Sequence, residues 1–363
     1  MPEPRTPLCD LLGIKHPLIQ APMAGGATTP GLVAAVCKAG ALGSFGFAYM
    51  QPEAMQRDAE AVRAATPAPF SINLFTSPQP GAIDPQAQRG AIDAIAGYHA
   101  ELGLPPPEPV KPPYAPDFEA QFSAIEEMRP PVFTFHLGEL PAERVRRLQS
   151  AGIKVGGSAT CVAEARRLEA LGVDFIVAQG AEAGGHRGTY LRDPYDAMTG
   201  TFALVRLVVQ AVRTPVVAAG GIMDGAGIAA ALALGAQAAQ LGTAFIACPE
   251  SGLAPIYKAR ILAAQEDETV ITEKFSGKPA RALTNRFIRE MHARQAPQLA
   301  FPAHNSLLGK LRATAAKTGN ADFVALWAGQ AVPLARALPA AELVATLVAE
   351  TEEALDRLAA LRR

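Results

Sequence analysis

The chain has 363 residues, 49% hydrophobic and only 18% charged: ample material for a buried core, and too little charge for a disordered or nucleic-acid-coating protein. Lys plus Arg number 33 against 34 Asp plus Glu, a formal net charge of −1 that offers no basic field to nucleic acid or a membrane surface. The four cysteines (Cys9, Cys37, Cys161, Cys248) form no CxxC pair, no apolar run reaches about 18 residues, and the start lacks signal-peptide order, so a cytoplasmic protein without a metal or disulfide framework is expected.

In chain order, short apolar runs alternate with helical patterns. Strands are predicted at 17–21, 41–45, 70–75, 132–135, 153–157, 173–178, 215–219 and 236–241. Helices are predicted at 30–39, 53–65, 142–150, 163–171 and 225–234. The strand runs are almost continuously apolar, as in parallel strands buried on both faces. A glycine recurs between helix and strand in KAGALGSF, SAGIKVGG, ALGVDFIV and ALGAQAAQ, where it suits a left-handed helix cap. Eight such units predict an α/β fold, a (β/α)8 TIM barrel, rather than an open doubly wound sheet. Two segments interrupt the rhythm. Residues 76–131 read as a loop insertion over the barrel mouth, with helical patterns at 85–102 and 117–128 around a proline-rich stretch. Residues 249–334 read as a smaller capping region inserted after strand eight, and an amphipathic helix at about 339–361 closes the barrel. The expected division is a barrel of 1–248 and 335–363 with a cap of 249–334.

Active residues of such barrels come from the loops after the strands. Here those loops are small, glycine-rich and almost uncharged, which suits a flat, partly apolar cofactor better than a metal. Ala219-Gly220-Gly221-Ile222 and Gln240-Leu241-Gly242-Thr243 end strands seven and eight, where many barrels bind phosphate through backbone N–H groups and a helix N-terminus. No GxGxxG fingerprint supports a dinucleotide fold. Asn73 and Gln179 are amides leaving apolar strands, suited either to the polar edge of a ring or to capping a strand end, and Met23 could lie against the ring or in the core.

Of six histidines, His186 is the main catalytic candidate, set between glycines in Gly184-Gly185-His186-Arg187-Gly188, where an imidazole can take a proton from a carbon acid. His136, ending strand four, is its rival on the substrate side. His99, on an insertion helix, is expected in solvent, and Cys161 reads as a structural thiol. The basic, turn-rich run Glu273–Arg281 could cover the phosphate or the substrate mouth, or be a solvated loop.

Together the motifs QAPMAGG (20–26), INLF (72–75), VAQGAEAGGHRG (177–188), AAGGI (218–222), QLGTAF (240–245) and SGKPARAL (276–283) resemble the nitronate monooxygenase family, formerly grouped as 2-nitropropane dioxygenases. The resemblance implies an FMN-containing barrel that oxidises alkyl nitronates with dioxygen to carbonyl compounds and nitrite, with neutral nitroalkanes as further candidate substrates. It places FMN contacts on Met23, Asn73, Gln179, Gly184, Gly221, Gln240, Leu241, Gly242 and Thr243, and the catalytic histidine on His186. His136 stands where a small residue is expected after Phe135. The alternative on the same barrel is an FMN-dependent NAD(P)H:quinone or enoyl-thioester reductase.

Overall fold

The computed structural model describes residues 4–77 and 80–361. Eight parallel strands form its centre: β1 (Leu18–Gln20), β2 (Gly43–Gly46), β3 (Phe70–Phe75), β4 (Val132–His136), β5 (Lys154–Ala159), β6 (Phe175–Gln179), β8 (Val216–Ala219) and β9 (Ala238–Leu241), with the short β7 (Gly185–His186) lying between β6 and β8 in sequence but outside this sheet. Their order is β1-β9-β8-β6-β5-β4-β3-β2. The seam between the two end strands is bonded as well: Leu42 N–H donates to the Leu18 carbonyl (3.0 Å) and Gln20 N–H to the Leu42 carbonyl (2.9 Å). The result is the expected (β/α)8 barrel, its strand bounds shifted by no more than two residues from those predicted.

Strand alternation sorts side chains between two faces. Ile72 and Leu74 go outward into the layer between barrel and helices, while Asn73 and Phe75 face the barrel mouth. Inside the lower barrel, Ile19, Phe175, Val177 and Val217 form a separate apolar cluster, plugged by Leu8 and Leu12 of the helix Pro7–Leu12. Helix Gly225–Ala233 lies against the C-terminal helix Ala340–Ala360 so closely that a Cβ on Gly225 would sit 2.2 Å from the Thr351 nitrogen.

A third cluster lies over the mouth. It contains Phe275, Phe287 and Phe323 from the region after β9, which includes the antiparallel pair β10 (Thr269–Thr272) and β11 (Ala280–Leu283). Ala91, Ile95 and Tyr98 of helix Pro85–Glu101 join it, and the Tyr98 hydroxyl donates to Glu290 (2.8 Å). Helix Phe118–Met128 goes elsewhere: its Phe122 and Ile125 pack in the outer barrel layer. The two helical patterns of 76–131 therefore serve different cores. His99 is buried, and not in solvent as expected, because the chain after its helix folds back on it: its Nδ1 lies 2.8 Å from the Pro105 carbonyl and its own carbonyl accepts from Leu104 N–H (2.8 Å). Helix Thr201–Ala211 has no counterpart among the predicted elements. No helix among the described residues is long and apolar enough to cross a membrane.

Candidate active site

Between the strand C-termini and the cap lies a cavity of about 860 Å³, within the range of roughly 300–1,000 Å³ usual for small-molecule sites. Met23, Asn73, His136, Gln179, Gly184, His186, Gly221, Gln240, Gly242 and Thr243 all line it. Leu241 does not: alternation along β9 turns its side chain into the outer core. Register explains how the amides are held. Asn73 on β3 stands opposite Thr134 on β4, and its Nδ2 donates to the Thr134 hydroxyl at 2.8 Å.

The loop after β6 is fixed from three sides. Gln179 clamps it with both ends of its amide: Nε2 donates to the His186 carbonyl (3.0 Å), and Oε1 accepts from Gly188 N–H (2.8 Å). His136 Nε2 also donates to the His186 carbonyl, at 3.2 Å. Arg187 turns inward, buried, and donates to the carbonyls of Gln179 and Ala197. Glycine is required at 188, since a Cβ there would lie 2.6 Å from His136 Cε1. It is required at 184 as well, where a Cβ would lie 2.6 Å from the backbone of Ala328 and Gly329. The third side is the cap. Gly185 and His186 form β7, paired antiparallel with Arg281 and Ala280 of β11. The histidine motif and SGKPARAL are thus adjacent strands.

That pairing supplies the partner of the His186 ring. Its Nε2 lies 2.9 Å from Ser276 Oγ. Ser276 Oγ is also within reach of the Lys278 carbonyl (3.1 Å) and Lys278 N–H (3.3 Å). A hydroxyl has one proton, and the carbonyl can only accept it; all three contacts are satisfied when Ser276 donates to Lys278 and His186 donates from Nε2. This leaves His186 Nδ1 with a lone pair and no partner among the described residues. The ring is boxed by Trp327, Phe301 and Phe75, with centroids 5.4, 5.2 and 6.0 Å away. Burial, with help from His136, Lys278 and Arg312, lowers its pKa to about 3, and burial lowers that of His136 to about 4. Both imidazoles are neutral at pH 7.

In the loops after β8 and β9, the N–H groups of Gly221, Gly242 and Thr243 have no acceptor among the described residues. The Thr243 hydroxyl accepts from Gly329 N–H (2.9 Å), which leaves its own proton to give. Two first-turn N–H groups of the neighbouring helix are taken: Asp224 accepts from Gly227 N–H (2.8 Å) and Glu350 from Gly225 N–H (3.0 Å). The loop amides and the Thr243 hydroxyl are the donors left open beside it.

The run Glu273–Arg281 is not a solvated loop. Ser276 is fully buried against His186, and Ala280–Leu283 is a strand. Sequence reasoning missed Ser276 as the histidine's partner, the aromatic box of Phe301 and Trp327, and the cationic Arg312 in the cavity wall. The proximity of His186 to Ser276 spans 90 residues, and no local pattern signals it.

A glycine-lined mouth holding a neutral histidine, at the C-terminal end of a parallel eight-stranded barrel, lies where barrel enzymes place their active sites. The nitronate monooxygenase family model matches residues 5–350. The chain belongs to the nitronate monooxygenase family. It is 44% identical over 354 residues to a nitronate monooxygenase of Paraburkholderia phytofirmans, covering 97% of this chain and 96% of the relative. It is 45% identical over 343 residues to that of Pseudomonas aeruginosa, covering 94% and 97%. Among solved structures, nitroalkane oxidase from Streptomyces ansochromogenes superposes with a TM-score of 0.89 at 41% identity, covering 97% of this chain and 99% of that one. FabK from Thermotoga maritima superposes at 0.77 with 31% identity, covering 99% of each chain.

Proposed function

We propose that this enzyme binds FMN in the cavity and oxidises alkyl nitronates with dioxygen to carbonyl compounds and nitrite. One observation carries the reading: an unspent histidine nitrogen and a set of unspent backbone N–H groups belong to residues lining a single cavity. The donor set at β8 and β9 fits a phosphate, since Gly221, Gly242 and Thr243 offer N–H groups and Thr243 a hydroxyl. Met23, Asn73, Gly184 and Gln240 fit the walls of a flat ring. Gln179 also lines this wall, with one amide proton left after its loop contacts. Leu241 would take part through its backbone alone.

When bound, FMN would accept electrons from the substrate and pass them to dioxygen. The protein's own part is to bind, orient and move a proton. His186 Nδ1 is the base for a neutral nitroalkane: it takes the proton from the carbon bearing the nitro group, and Ser276 then steadies the Nε2–H of the imidazolium. A preformed nitronate needs no such step. Phe75, Phe301 and Trp327 keep water from the ring. His136 sits behind His186, holding the loop through the shared carbonyl, on the substrate side of the mouth. In this reading the barrel carries the cofactor and residues 249–334 line the substrate side.

The test is the visible spectrum of the purified protein together with oxygen uptake on ethyl nitronate. A flavin band, released as FMN on denaturation, and oxygen uptake with nitrite formed are expected. A colourless protein that gains no activity on adding FMN would contradict the proposal.

A further inference from the structure

One charge in the cavity wall meets no counter-charge among the described residues. Arg312, on the helix Gly309–Thr318, lines the cavity. Its Nη2 donates to the Asn305 carbonyl (2.7 Å), and its Nε reaches the Leu308 carbonyl (3.4 Å). Both acceptors are neutral. Among the described residues, no carboxylate forms an ion pair with it. The groups that feel its charge are Tyr49, His186 and His304, none of them an anion at neutral pH. Burial lowers its proton affinity, yet a guanidinium stays charged at neutral pH. A charge withdrawn from water without a counter-ion is destabilising, and the most direct way to offset it is a ligand of opposite sign.

The histidines cannot supply that service. His136 spends its Nε2–H on the His186 carbonyl, and His186 directs its own at Ser276. His186 Nδ1 then presents a lone pair, which repels an oxyanion. A nitronate spreads its negative charge over two coplanar oxygens on nitrogen, the arrangement a guanidinium fork matches. We infer that Arg312 is the anion-recognition residue of this site, pairing its free N–H groups with the two oxygens of the nitronate. The inference rests on nitronate being the substrate, and it assigns charge recognition to Arg312 and proton removal to His186.

Trp327, the chain's single tryptophan, lines the same cavity 5.4 Å from the His186 ring, so its fluorescence reports occupancy. The purified holoenzyme is titrated with acetate, an unreactive planar two-oxygen anion, following Trp327. Anaerobic flavin reduction is then measured with ethyl nitronate and with neutral nitroethane. Arg312→Gln is expected to weaken acetate binding and half-saturation by nitronate about tenfold or more, with the limiting rate of reduction and nitroethane half-saturation within about threefold. Arg312→Lys is expected to keep part of the affinity, since it retains the charge and loses the fork. Arg312→Gln with normal flavin content and unchanged affinity for both anions overturns the inference. Should Arg312→Gln fail to fold, wild-type anion affinity in Arg312→Lys overturns it equally. Wild-type enzyme left unreduced by nitronate would refute the substrate reading instead, and the acetate titration would still judge Arg312 by itself.

Discussion

His186 Nε2 stands 2.9 Å from Ser276 Oγ, joining the loop after β6 to the cap across 90 residues of sequence. The hydroxyl sets the tautomer, and so decides which ring nitrogen can act as base. Ser276→Ala removes the acceptor that stabilises the imidazolium. A hydrogen bond to a charged group contributes about 1.5–3 kcal/mol, so kcat/KM for a neutral nitroalkane should fall roughly tenfold to a hundredfold. Oxidation of preformed nitronate should stay within about threefold, because no proton is taken from carbon. Steady-state kinetics on the two forms of one substrate check this, and equal losses on both would contradict the assignment.

Gln179 has a mechanical role that a ring-edge contact alone would not require. Its amide satisfies the His186 carbonyl and Gly188 N–H at once. Gln179→Met leaves the Gly188 N–H without its acceptor, which costs about 1–3 kcal/mol for a buried polar group. The melting temperature should drop by several degrees, and nitroalkane turnover should fall with it as His186 loses its fixed position. An unchanged melting temperature would show that the clamp does not hold the loop.

Three histidines with lowered proton affinity, His304 in the core and His136 and His186 in the cavity wall, give the fold an acid weakness. Burial holds His186 at about 3 and His136 and His304 at about 4, against an ordinary 6.5. Below pH 6.5 the unfolded chain binds protons that the folded chain refuses. Their contribution is therefore intact above pH 6.5 and is lost progressively as pH falls toward 4. His304 lies outside the cavity, with Nδ1 accepting from Leu299 N–H (3.3 Å) and Nε2 donating to the Lys274 carbonyl (3.0 Å). His304→Gln should lower stability at pH 7 and reduce the further loss between pH 7 and 5. Melting temperatures of both proteins at the two pH values check the sign; a larger loss in the variant would refute it.

Much of the barrel was legible because parallel strands buried on both faces write continuous apolar runs, bounded by helix-ending glycines. Helix Thr201–Ala211 was not, for a physical reason. Arg206 and Gln210 lie on its outer side, but exposed Phe202 and Leu207 interrupt that polar face and blur the boundary with the buried one. In the site, the glycine-flanked His186 and the strand-end amides stood out because small neighbours and apolar strands isolate them. Ser276 and Arg312 did not. Ser276 gains its role only through the β7–β11 pairing, and Arg312 on helix Gly309–Thr318 looks in sequence like any basic residue on a solvated helix. Their meaning lies in what the cap folds against, which no local pattern records.

The central claim is that nitronate, not a reduced nicotinamide, delivers electrons to this site. The direct measurement is anaerobic mixing of the purified enzyme with NADH or NADPH, then separately with ethyl nitronate, while the flavin absorbance is followed. Rapid loss or shift of the oxidised flavin spectrum with nitronate, and no change with either nicotinamide, is expected. Bleaching by NADH or NADPH with no response to nitronate would contradict the account and favour a reductase on the same barrel.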